Sequence, residues 1–195
     1  MHDESLLRMT GVNAKVSSLT YDSISKLSVR DALHPERGEY KVPTFREVLQ
    51  LCKGKINIYL DFKNASVAQA YKEILEEKMQ DKFIVYINSP KQFKEWREVA
   101  PSVPLMVSLP NKIKTAEELI AFLNNTKPDI LDGSYRDYTE EFISVANRMQ
   151  IPVWPDIQSV DEEKNWKDAL KLKFQGMQTD HPELLMKYLK KQRIN

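Results

Sequence analysis

Cysteine and glycine are scarce in this chain. Cys52 is its one cysteine, so an internal disulfide is excluded. Cys52 lies among Val48, Leu49 and Leu51 in an apolar helical pattern, and reads as a small buried hydrophobe rather than a reactive thiol. Five glycines leave little room for a glycine-rich phosphate turn, and none is found. No apolar run is long enough to span a membrane. Neither sign of charge dominates: 29 basic and 28 acidic residues give a net charge of +1. That balance gives no electrostatic ground for a nucleic-acid partner or an anionic membrane surface. The opening Met1-His2-Asp3-Glu4-Ser5 is polar and acidic, unlike a signal peptide, and location stays open.

The chain of 195 residues is long enough for one domain with a substantial core. Residues 1–42 show no clean period and carry turn signals at Thr10-Gly11 and His34-Pro35. They predict a long, loop-rich excursion, the kind of segment that tends to hold function. Regularity begins at Pro43. Thr44 and Glu47 have the spacing of a capping box, and a helix follows to about Gly54.

Strand and helix then alternate. Strands are predicted at Ile56–Lys63, Phe83–Ile87, Pro104–Leu109, Asp129–Gly133, Ile151–Trp154 and Gly176–Thr179. Helices are predicted at Val67–Met79, after Ser89-Pro90, from the second capping box Thr115/Glu118 through Leu123, from Thr139 to Met149, at Val160–Leu172 and at Glu183–Lys190. Short connections between alternating elements mean parallel strands joined by right-handed crossovers. The fold class is α/β, of the (β/α)8 TIM-barrel type. About six parallel strands are present, about two units short of the eight in a closed barrel, which typically takes roughly 250 residues. A doubly wound open sheet is the alternative. The expectation is a single partial barrel domain over 1–195. Its gap falls between the Ile56 and Gly176 strands, and each has an unpaired edge that invites self-association.

The strand Ile56–Lys63 is the most informative segment. Ile56, Ile58, Leu60 and Phe62 share one face, and Asn57, Tyr59, Asp61 and Lys63 the other. In a barrel the apolar set packs outward on helices and the polar set points to the axis. Asp61 and Lys63 then sit at the carboxyl end of an inward face, where barrel enzymes hold their chemistry. A half-solvated surface Asp–Lys pair is the plainer alternative. His2 is a residue able to transfer protons near neutral pH, or else an unengaged terminal histidine. Asp180, in Thr179-Asp180-His181-Pro182, reads as a turn-holding residue that bonds backbone N–H groups, with metal ligation by Asp180 and His181 a weaker reading.

These segments together resemble one family, the glycerophosphodiester phosphodiesterases. Met1–Thr10 is similar to the family's histidine–aspartate segment with its following leucine, arginine and threonine. Val42–Leu49 resembles its proline–threonine–leucine–x–glutamate–valine–leucine stretch, and Leu60-Asp61-Phe62-Lys63 its hydrophobic–acid–hydrophobic–lysine strand. Val153-Trp154 is similar to the tryptophan end of the seventh strand, and Gly176–Pro182 to the closing glycine–x–x–threonine–aspartate–x–proline. The matches run in order along nearly the whole chain.

The resemblance implies metal-dependent hydrolysis of glycerophosphodiesters to glycerol 3-phosphate and an alcohol, with Ca2+ or Mg2+ as cofactor and a small-molecule phosphodiester as partner. His2 matches a catalytic histidine. Asp61 matches a metal-ligating acid that is normally glutamate, one methylene longer. Lys63 matches a lysine that neutralises the phosphate, and Trp154 a wall beside the glycerol moiety, although a plain core tryptophan would look the same. The family's first-strand histidine–arginine pair and second-strand glutamate–x–aspartate pair have no match here. One carboxylate is a poor site for a hard cation, so the chain alone is expected to be inactive or nearly so. A degenerate barrel that binds without catalysing is the second expectation.

Overall fold

The computed structural model describes residues 2–30, 35–159 and 161–192. The predicted turn at His34 and the predicted helix start at Val160 lie outside the described residues. The chain forms two compact units, one of Met1–Asp61 with Ala65–Lys82, the other of Phe62–Asn64 with Phe83–Asn195.

The first unit opens with short elements: α1 (Leu7–Thr10), α2 (Tyr21–Ser25), β1 (Ser28–Arg30) and β2 (Glu39–Lys41). Strands β1 and β2 pair antiparallel, an element that the lack of a clean period did not suggest. Leu6 is fully buried, with its N–H donating to the Ala14 carbonyl at 2.9 Å. Helix α3 (Phe45–Cys52) starts on the predicted capping box: the Thr44 hydroxyl accepts from Glu47 N, and the Glu47 carboxylate accepts from Thr44 N at 2.7 Å. Cys52 ends α3 half-buried, less enclosed than its apolar setting suggested. Helix α4 (Val67–Glu76) buries Val67, Ala70 and Ile74, spaced as one helical face. Helices α3 and α4 are joined by Arg46, which reaches Glu76 and Glu77, and by Gln50, which donates to Glu77 at 2.9 Å. Helix α4 stops short of the predicted Met79 because Lys78 turns left-handed at φ 57°.

The second unit holds the repeating pattern. Strands β3 (Ile58–Phe62), β4 (Phe83–Ile87), β5 (Leu105–Ser108) and β6 (Ile130–Asp132) form one sheet in the order β3-β4-β5-β6. Pairings β4–β5 and β5–β6 are parallel, as the strand–helix alternation requires. The crossover helices are α5 (Pro90–Val99) and α6 (Ala116–Thr126), followed by α7 (Glu140–Arg148), α8 (Glu162–Lys171) and α9 (Pro182–Gln192). Ser89 caps α5 ahead of Pro90, and the second capping box, Thr115 with Glu118, opens α6.

The two last predicted strands are present as bridges rather than ladders: Leu131 with Val153, Ser134 with Asp156, and Asp156 with Gln178, all of which continue the parallel direction beyond β6. Pro152 and Pro155 flank Val153-Trp154 and supply no N–H, so a regular ladder is interrupted on both sides of the pair. The core lies between sheet and helices. Leu119, Leu123, Leu131, Val145, Ala146 and Val153 pack in one cluster, and Trp166, Ala169, Ile157 and Leu185 in a second under the last helices.

Candidate active site

Register places polar groups together at the carboxyl ends of the second unit's strands. Met106 pairs with Tyr86 and Ile130, and Ser108 with Asp132, so Tyr86, Met106, Ser108, Ile130 and Asp132 share one face. The lower positions, Met106 and Ile130, are buried and apolar. The upper ones are linked: the Tyr86 and Ser108 hydroxyls lie 2.8 Å apart, and Ser108 Oγ lies 3.5 Å from Asp132 Oδ2. From the far side Gln178 Nε2 donates to Asp132 Oδ1 at 2.5 Å and to the Trp154 carbonyl at 2.9 Å.

Asp132 is only 7% exposed. Burial raises its carboxyl above the ordinary aspartate range. The Gly133 N–H and Gln178 oppose that shift, and the Asp156 carboxylate adds to it. The peptide after Asp132 is clamped: its carbonyl accepts from Leu109 N at 2.9 Å and from the buried Tyr138 hydroxyl at 2.5 Å. Burial and the Asp132 charge push the Tyr138 phenol far up, so it remains a neutral donor.

Of the four residues singled out by sequence, Lys63 and Trp154 belong to the second unit, His2 and Asp61 to the first. Phe62 is buried, with its ring edge-on to Trp96 of α5 at 5.2 Å between centroids. Lys63, next along the chain, therefore leaves on the opposite face and is exposed. Its backbone carbonyl is held by Gln92 of α5, and the Phe62 carbonyl by Asn88 at 2.8 Å. Asp61 is half-buried, one residue before Phe62. The Trp154 ring lies on Gly176: a Cβ at residue 176 would meet its Cγ and Cδ1 at 2.8 Å. Its Nε1 is buried and has no hydrogen-bond partner among the described residues.

His2 is exposed, with Nδ1 at 2.9 Å from Asp3 Oδ1. Arg8 Nε donates to the other oxygen of Asp3 at 2.6 Å. The Arg8 and His2 bonds lower the Asp3 carboxyl to about 2. Asp3 therefore engages His2 through one ring nitrogen, Nδ1.

Asp180 plays a different part from the one expected. Its carboxylate accepts from the Gln158 side chain at 2.5 Å. The turn into α9 is held instead by buried Glu162, which accepts from Asp180 N at 2.9 Å and from the Thr179 hydroxyl, and by Thr179 Oγ1, which accepts from His181 N at 3.0 Å. Among the described residues no three histidine, cysteine or acidic side chains converge to hold a metal ion, and no helix is long and apolar enough to cross a membrane.

Sequence reading missed Tyr86, Ser108, Asp132 and Gln178. The available signal was the same one that picked out Asp61: a polar side chain closing an apolar strand. Ser108 and Asp132 end β5 and β6 in that way.

Comparison with curated protein sequences finds no match. Solved structures match well. A glycerophosphodiester phosphodiesterase from Agrobacterium tumefaciens aligns at a TM-score of 0.81 and 16% identity, over 95% of this chain and 78% of that one. One from Parabacteroides distasonis gives 0.75 and 16%, over 99% and 78%. A phosphodiesterase from Oleispira antarctica, in complex with the product sn-glycerol-3-phosphate, gives 0.82 and 12%, over 97% and 78%. At these identities the likeness establishes the fold. A family model matches residues 1–184, nearly the whole chain, and by that match the chain belongs to the glycerophosphoryl diester phosphodiesterase family.

Proposed function

We propose that the chain hydrolyses a glycerophosphodiester, breaking a P–O bond to give glycerol 3-phosphate and an alcohol. The observation that carries this reading is the family match over residues 1–184. The Oleispira antarctica relative with its glycerol phosphate product supports it. Lys63 neutralises phosphate oxygens as charge builds in the transition state. His2, oriented by Asp3, exchanges a proton at its free ring nitrogen with an attacking or leaving oxygen. Trp154 walls the glycerol moiety.

Asp61 is the position offered to a divalent cation, Ca2+ or Mg2+. Such ions want six or more oxygen ligands, and no three-ligand set converges among the described residues. The residues described do not by themselves fit a metal centre. Turnover by this chain alone is accordingly slow. The same observation favours a second reading, a barrel that binds glycerol phosphate without hydrolysing its esters.

Release of glycerol 3-phosphate from a glycerophosphodiester, with Ca2+ or Mg2+ titrated in, separates the readings. Slow, metal-dependent release lost in His2→Ala and Lys63→Ala supports hydrolysis. Binding of sn-glycerol 3-phosphate with no release supports the second reading. Neither binding nor release refutes both, and turnover at an ordinary enzyme rate of about 10 per second refutes the slowness. Strand β3 also ends the sheet order and offers an edge to a second copy. Sedimentation as a monomer at high concentration removes that part.

A further inference from the structure

Gln178 stands where two chain segments have to be held together. Trp154 lies between Pro152 and Pro155, and neither neighbour can donate to a ladder. Its N–H reaches the Leu131 carbonyl at 2.9 Å, as in a parallel pair, but on the other side its carbonyl takes a side chain, Gln178 Nε2, in place of a backbone N–H. The second hydrogen of the same amide goes to Asp132 Oδ1 at 2.5 Å. Carbonyl and carboxylate oxygens are both acceptors, so the nitrogen end of the amide has to face them. Two residues before Gln178, Gly176 gives the indole a bare backbone to lie on.

We propose that Gln178 is a positioning residue for Trp154: by tying the Trp154 carbonyl to Asp132 it holds the indole on Gly176 in the pose that meets the glycerol moiety of the ligand. This rests on the glycerophosphodiester reading above. Asp132 serves as the anchor post. It is buried, it ends β6, and Ser108 of the neighbouring strand β5 lies against it, held in turn by Tyr86 of β4.

The test uses the whole chain labelled with 5-fluorotryptophan. Its three tryptophans give three fluorine resonances, and Trp154→Phe assigns one of them. Gln178→Leu keeps the volume and removes both hydrogen bonds. The expected result is a shifted or broadened Trp154 resonance, with those of Trp96 and Trp166 unmoved, and affinity for sn-glycerol 3-phosphate weakened about tenfold, the scale of one well-made hydrogen bond. Inorganic phosphate, which lacks the glycerol, should bind both proteins alike. Asp132→Asn keeps an acceptor oxygen for Gln178 and should leave Trp154 close to its wild-type resonance, whereas Asp132→Leu should move it. Gly176→Ala reaches the indole independently and serves should Gln178→Leu fail to fold. It should displace the same resonance and weaken the same ligand.

An unchanged Trp154 resonance and unchanged affinity in Gln178→Leu overturn the proposal. So does equal weakening toward phosphate, which marks a general loss of structure. If sn-glycerol 3-phosphate leaves the wild-type Trp154 resonance unmoved, the functional reading fails first, and the ligand-free spectra alone then decide whether Gln178 positions the ring.

Discussion

Removing one oxygen from Tyr138 tests how the Asp132 strand end is held. In Tyr138→Phe the ring stays and the phenol hydroxyl goes. That hydroxyl donates to the Asp132 carbonyl at 2.5 Å. The carbonyl keeps its other bond, from Leu109 N at 2.9 Å, so it is not orphaned. The donor disappears along with the oxygen that bore it, so no unsatisfied group remains on the tyrosine side. The cost is therefore the net worth of a single hydrogen bond, about 1 kcal/mol, rather than the larger penalty of a buried unpaired group. For a chain of this size that lowers Tm by about 2–4 °C. Tyr138→Ala is the contrast. It removes a ring that meets Phe174 edge-on at 5.7 Å and sits against Gly133, and it should cost about 3–5 kcal/mol. Urea melts of the three proteins give both numbers. Because the phenol stays neutral in the fold, the Tyr138→Phe difference should be the same at pH 6 and pH 9. A Tyr138→Phe loss as large as that of Tyr138→Ala, or one that fades as pH rises, refutes the account.

Asp132→Asn should stabilise the protein at neutral pH. Burial raises the Asp132 carboxyl in the fold, so its favourable contribution is complete below the unfolded value near 3.8 and is lost as pH rises through the raised value. Wild type and variant should thus converge in acid and diverge toward neutrality, and a variant less stable than wild type at pH 7 contradicts this. Asp3 runs the other way. Its lowered carboxyl keeps the His2–Asp3–Arg8 contacts intact above 3.8 and releases them as pH falls through about 2, which a carbon NMR titration of the Asp3 carboxyl will follow. A midpoint near 3.8 would show that Arg8 and His2 do not hold it. Thr115→Ala should cost about 1 kcal/mol by removing the capping hydroxyl of α6, measured by thermal melt, and no loss would mean that Glu118 alone suffices.

What could be read from the sequence was what neighbours in the chain decide. Thr44 with Glu47 and Thr115 with Glu118 satisfy each other within four residues, so both helix starts were visible in advance. The alternation around Asp61-Phe62-Lys63 likewise needs only the strand's own period, and Phe62 does pack on a helix residue, Trp96. The layer of Tyr86, Ser108, Asp132 and Gln178 was not visible. Its contacts span from 22 to 46 residues and exist only once register aligns β4, β5 and β6. The thinning of the last two strands to bridges had a visible cause in Pro152 and Pro155. The apolar pattern around them outweighed it. The hairpin of β1 and β2 pairs Arg30 with Glu39 across nine residues and carries no apolar alternation to announce it.

Asp129 sits just before β6, at the opposite end from the polar layer. One of its oxygens accepts from Arg97 Nη2 at 2.6 Å and from Leu105 N at 2.7 Å, while Arg97 also reaches the carbonyls of Val103 and Lys127. A single ion pair thus rivets the end of α5 to the starts of β5 and β6. The consequence is one of evolutionary freedom. With the amino ends of the strands fastened separately, the carboxyl-end side chains can be exchanged for new specificities while the foundation stays in place. Mutational tolerance in the second unit should therefore be graded along the strand axis, strict around Asp129 and permissive around Ser108.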